Sequence, residues 1–109
     1  MVTAGPDGAL WFTENSAGKV GRLTTSGTFT EFTLSKGSQP VAITAGANSD
    51  LWLTEAGVNR IGHLTTSGAL SEYVLATASS APISIVSGAD GSLWATEEFG
   101  DKVARIATK

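Results

Sequence analysis

The sequence predicts an all-β fold built from β-propeller blades, four-stranded antiparallel sheets on a repeat of 41 to 42 residues, incomplete within one chain. Three observations carry this expectation. The word "LWFTE" at Leu10–Glu14 returns as "LWLTE" at Leu51–Glu55 and "LWATE" at Leu93–Glu97, so all three tryptophans, Trp11, Trp52 and Trp94, lie 41 and 42 residues apart, and Gly5, Gly46 and Gly88 keep the same two spacings. Each copy holds short β-rich segments separated by turn residues, with no helical periodicity. Apolar residues occupy both strand parities, as in Leu10, Trp11 and Phe12, so both faces of each sheet need cover. A four-strand repeat of about 40 to 45 residues with two covered faces describes a propeller blade, whose neighbours cover each face.

The elements follow in order within each copy. The first strand is the "VTAG", "ITAG" or "IVSG" segment, closed by "GPDG", "GANSD" or "GADG", where Gly, Pro, Asn and Asp supply tight-turn conformations. The second is the tryptophan word. The third is "KVGRLT", repeated as "RIGHLT" and "KVARIA", and "TTSG" closes it in the first two copies. The fourth is "TFTEFTL" or "ALSEYVL", and the third copy stops before it. Residues 1–42 and 43–84 therefore make two blade repeats, and residues 85–109 a partial third without its fourth strand. That gives eleven candidate strands. The truncation reads as an excerpt of a longer propeller, a truncated gene or an engineered fragment.

Composition limits the functions available. A hydrophobic share of 41% with 16% charged residues belongs to a folded chain. Seven Lys and Arg against ten Asp and Glu, with the basic residues dispersed, argue against a nucleic-acid partner. No apolar stretch is long enough for a membrane helix, and the N-terminus has no signal-peptide pattern, so no membrane partner is expected. The absence of cysteine removes thiolate sites and disulfides, and a single histidine supplies little for a metal, so the residues call for no cofactor.

The series "AGPDGALWFTE", "GKVGRLTTSG" and "TEFTL" with a proline-led return resembles the virginiamycin B lyase (streptogramin lyase) family, over essentially the whole chain. The resemblance implies a seven-bladed ring that opens a cyclic depsipeptide antibiotic by magnesium-assisted elimination. It also implies catalytic histidines and a metal-binding glutamate around a Pro-His motif, where the fourth strand of one blade returns to the first strand of the next. The returns here are "QPVA" and "APIS". They put Val41 and Ile83 at the histidine position, and Gln39 and Ala81 where an acidic residue precedes proline. None of the four can act as a general base or offer a carboxylate to Mg²⁺. The expectation is the family's fold without its chemistry, magnesium entering only if lyase-like activity is retained.

Four residues remain as candidate ligand-binding positions. Glu14, Glu55 and Glu97 end the second strand of every copy, where a ring of carboxylates near a central funnel could bind a cation. The structural alternative pairs them with Lys19, Arg60 and Lys102, which follow five residues later. His63 can serve as a base or ligand, but it holds the place of Arg22 and Arg105 and equally reads as an outward or interblade polar side chain. Trp11, Trp52 and Trp94 are read as blade-packing residues. Glu31 and Glu72, on the outermost strand, are read as charges that guard a sheet edge.

Three blades in a row leave two apolar faces uncovered. The expected remedy is self-association: a homodimer of six blades, with a trimer of nine as the alternative. Two functions follow, a non-catalytic propeller unit that self-associates around a funnel able to take a ligand, or a magnesium-dependent lyase active only as an oligomer or within a longer chain.

Overall fold

A computed structural model describes residues 1–46, 48–75 and 81–107 of the chain. Among these residues eleven strands form three antiparallel sheets. The first holds β1 (Val2–Ala4), β2 (Leu10–Glu14), β3 (Lys19–Leu23) and β4 (Phe29–Thr33); the second β5 (Pro40–Ala45), β6 (Leu51–Glu55), β7 (Arg60–Leu64) and β8 (Leu70–Val74); the third β9 (Pro82–Ser87), β10 (Leu93–Glu97) and β11 (Lys102–Ile106). Each sheet is a meander in chain order, the pattern of a propeller blade.

Turn chemistry sets these hairpins. Gly8, Gly18, Gly27, Gly68 and Gly91 have positive φ, which glycine adopts without steric cost. The threonines of the "TTSG" turns cap them, as Thr24 Oγ1 and Thr65 Oγ1 accept the backbone N–H groups of Thr28 and Ala69. β5 and β9 start at their prolines, ahead of the repeat boundaries at Ile43 and Ile85, and each carries a register shift near that start. A proline opening a strand donates no ladder hydrogen bond, so it fits the first position of the returning chain.

Alternate residues of each strand build two interblade cores. Trp11 and Val20 of the first blade meet Ile43, Leu51, Leu53 and Leu64 of the second, while Trp52 and Ile61 on its other face meet Ile85, Leu93 and Ala95 of the third. The middle blade is consequently covered on both sides, and every residue of β6 is buried. The end blades are covered on one side only. Leu10 and Phe29 are exposed on one end face, and Val86, Trp94 and Val103 on the other.

Candidate functional site

The first turn of each blade reaches the third strand by the same device. Arg22 donates to Asp7 at 2.8 Å, His63 Nε2 lies 2.7 Å from Asp50, and Arg105 donates to Asp90 at 3.1 Å. Each of these side chains also lies over its blade's tryptophan: Arg22 over Trp11 at 5.7 Å, His63 stacked on Trp52 at 4.2 Å, and Arg105 over Trp94 at 5.8 Å. His63 thus does the work of an arginine, flat against an aromatic ring and tied to a turn carboxylate. In the second blade that carboxylate comes from Asp50, two positions beyond the place of Asp7 and Asp90. In the first blade Trp11 Nε1 donates to Asp7 Oδ1 at 3.0 Å. Trp52 Nε1 is buried without an acceptor.

The second-strand glutamates, one in each blade, form no shared cluster. Among the described residues no group of three His, Cys, Asp or Glu side chains comes together to hold a metal. Glu14 is directed across Gly21, and Glu55 across Gly62, where an added methyl would collide with the carboxylate. The glycine lets each carboxyl lie against a fourth-strand glutamate, Glu31 or Glu72. Lys19 and Arg60 then pair with those outer glutamates, at 3.7 Å and 3.3 Å. The expected pairing of these cations with Glu14 and Glu55 is therefore moved to the glutamates on the other side of the third strand, and Glu31 and Glu72 are members of a network rather than simple edge guards.

In the second blade this network is sealed. Neither oxygen of Glu55 meets a donor from another residue, and two carboxyls in contact favour a proton on one of them. Burial and the adjacent Glu72 push Glu55 up to about 8, which keeps it protonated near neutral pH. Glu72 moves down, because Glu55 donates to it and Ser35 and Arg60 add to its hydrogen bonds. In the first blade Glu14 is also raised, by its contact with Glu31 and then by burial. Glu97 is buried with Oε1 unpartnered. Ala104 replaces the third-strand glycine there.

The returns place Gln39 and Ala81 at φ 45° and 52°, left-handed values that cost energy outside glycine and more so before proline. Ala56 N–H donates to the Gln39 carbonyl and Glu98 N–H to the Ala81 carbonyl, which holds the corners. Val41 and Ile83 follow, half-buried, with no ionisable atom to offer a metal or a substrate proton. The donors near the returns therefore do not fit Mg²⁺.

A groove of about 740 Å³ runs between the second and third blades, lined by Trp52, Ile61, Tyr73, Glu97, Ala104 and Ile106. Sequence reasoning did not find it.

The sequence model of the Virginiamycin B lyase family matches residues 1–109. Among solved structures, a streptogramin B lyase superposes with a TM-score of 0.95 at 39% identity. A virginiamycin B lyase from Staphylococcus aureus gives 0.94 at 42%. A catalytically inactive virginiamycin B lyase from the same organism, solved with quinupristin, gives 0.95 at 44%. Each match covers 98% of this chain but only 36% or 37% of the other, so the chain spans little more than a third of the enzymes it resembles.

Proposed function

The chain belongs to the virginiamycin B lyase family, and from that premise we propose that it acts as a non-catalytic arc of a propeller. Its biochemical property is self-association through its end blades, which closes a ring around a funnel able to take a ligand. The observation that supports this is an internal comparison: Leu10 is 46% exposed where its counterpart Leu51 is 0%, and Trp94 is 39% exposed where Trp11 is 0%. The same position is sealed wherever a neighbouring blade exists. Two copies give six blades, and the exposed face of the third blade, with Val86, Trp94 and Val103, meets the exposed face of the first, with Leu10 and Phe29. A trimer of nine blades is the alternative closure.

The similarity to solved lyases favours a second reading, a magnesium-dependent lyase working as an oligomer or within a longer chain. As an oligomer of this chain alone it would have to use Glu14, Glu55, Glu97 or His63, since Gln39, Val41, Ala81 and Ile83 lack the chemistry. Glu55 is closed from solvent and His63 is engaged by Trp52 and Asp50. An assay for Mg²⁺-dependent opening of a streptogramin B lactone separates the two readings. The arc predicts no turnover above buffer, and sustained turnover by the 109-residue chain overturns it.

A further inference from the structure

The connection from the first blade to the second, residues 35–39, lies outside any strand and is tied to the second blade at both ends. At one end the Ser35 hydroxyl donates to Glu72 on β8. At the other, Gly57 N–H donates to the Ser38 carbonyl at 2.9 Å and Ala56 N–H to the Gln39 carbonyl at 3.3 Å. Ala56 and Gly57 directly follow Glu55, and Pro40, where the connection enters β5, is the register partner of Glu55. Gly57 permits the close approach, since a methyl there would strike the Gly37 carbonyl. Gly37 has φ 77° and is exposed, as is Lys36 beside it. The connection is thus an arch that joins the two members of the Glu55–Glu72 pair.

The surroundings of that pair hold little to balance a second charge. Glu55 is wholly buried, and its two oxygens and Glu72 Oε2 meet no donor from another residue. From β7 Arg60 pairs with Glu72 Oε1 at 3.3 Å. The other neighbours, Gly62, Leu53 and Pro40, are neutral. In the first blade Glu14, Lys19 and Glu31 share the parity of Leu10 and Phe29, on the far face of that sheet. The third blade packs on the opposite face of the second, through Trp52 and Ile61. Arg60 is left to balance two carboxylates once the proton leaves, and Glu55 then carries a buried charge with no donor, which is costly until water reaches it.

We infer that residues 35–39 form a proton-controlled strap, closed on the second blade while the Glu55–Glu72 pair keeps a proton and opened locally when both carboxyls ionise. The sheet offers water no easier route, because β6, β7 and β8 are joined by unbroken backbone ladders. The arch has only its hydroxyl and carbonyl bonds to the second blade and turns on a glycine, the mark of a segment that opens below the global unfolding energy. Burial and the contact with Glu72 raise Glu55 to about 8, so the strap responds just above neutral pH. In the hydrated, open form Glu55 returns to its ordinary 4.5; opening therefore becomes easier as pH rises and levels off beyond 8. Every group involved belongs to the first two blades and is covered by residues between them, so the strap depends neither on the end faces nor on self-association.

Lys36 makes the strap readable by trypsin. The whole chain is digested with dilute trypsin at pH 7 and pH 9, so that the cleavage rate follows the open population. Each rate is divided by that of a synthetic peptide of residues 31–41, EFTLSKGSQPV, which removes the pH dependence of the protease itself. The expected result is a rise of about tenfold in normalised cleavage after Lys36, while cleavage after Arg22 and Arg60, inside the ladders, stays slow. Glu55→Gln should abolish the rise, and Ser35→Ala should speed cleavage already at pH 7. An unchanged rate after Lys36, an equal rise in Glu55→Gln, or cleavage at the peptide's own rate at pH 7 overturns the proposal. So does a rise after Arg22 and Arg60 in step with Lys36, which reports global unfolding. Should Glu55→Gln fail to fold, the parent's Lys36 and Arg60 profiles still decide. A chain that stays monomeric leaves this test intact, so its failure is distinguishable from failure of ring closure.

Discussion

Trp11, Trp52 and Trp94 occupy one position in three degrees of cover, and their energetic weights should differ accordingly. Trp11→Ala empties a core site and is expected to cost about 3–5 kcal/mol, whereas Trp94→Ala in the monomer should cost roughly 1 kcal/mol, since much of that ring already meets water; urea denaturation compares the two. The packing role of the tryptophan was legible from its recurrence. So was the kinship of His63 with Arg22 and Arg105, and His63→Arg should leave the melting temperature within a few degrees of the parent because the stacking partner and the carboxylate are both retained. The turn carboxylate was less legible, because Asp50 reaches the third strand from a different position than Asp7 and Asp90. Glu55 carries a pH prediction. Its folded value of about 8 lies above the ordinary 4.5, so the folded state holds a proton that the unfolded chain releases. The stabilisation is complete below about pH 4.5 and is lost as pH rises through 8. At about 1.4 kcal/mol per unit the loss is at most on the order of 5 kcal/mol. Glu55→Gln, which can donate to Glu72 at any pH, should flatten the decline; melting curves at pH 6 and pH 9 check it, and an equal decline in both proteins contradicts the shared proton.

Strands and turns followed the sequence closely because their signals are local. Alternation, β-branched residues and glycine turns act within a few positions, so β2, β6 and β10 fall on the tryptophan word without displacement. The partners of the second-strand glutamates were not legible, since they lie two strands away across the sheet. The available signal was the glycine in "KVGRLT" and "RIGHLT", an odd choice for a strand interior that becomes reasonable once a carboxyl has to cross above it. Gly62→Ala should therefore destabilise by about 1–3 kcal/mol through collision with Glu55 and Leu53. Adding Glu55→Ala should recover a large part of that cost, a coupling that a double-mutant cycle in urea measures directly. Independent, additive losses would mean that the glycine serves the turn or the packing of Leu53 and not the carboxyl crossing.

At the scale of the molecule, the sheets stack face to face, and among the described residues each end blade has an exposed apolar face. The middle blade is the internal control, buried on both sides through the residues that its neighbours expose. Placing a charge on an end face should separate the copies without unfolding them, because Leu10 is half exposed in the single chain. Leu10→Glu is expected to yield a folded monomer at concentrations where the parent associates, with its β-sheet circular dichroism unchanged. The blade number of the proposed assembly was not legible, since it would depend on the angle between blades and on how the third blade met the first, neither of which a repeat spacing encodes. The most direct measurement is absolute mass by light scattering coupled to size exclusion across a dilution series. The account predicts a species near twice the 11.1 kDa chain mass that gives way to monomer only on strong dilution. A folded monomer at every concentration would contradict it.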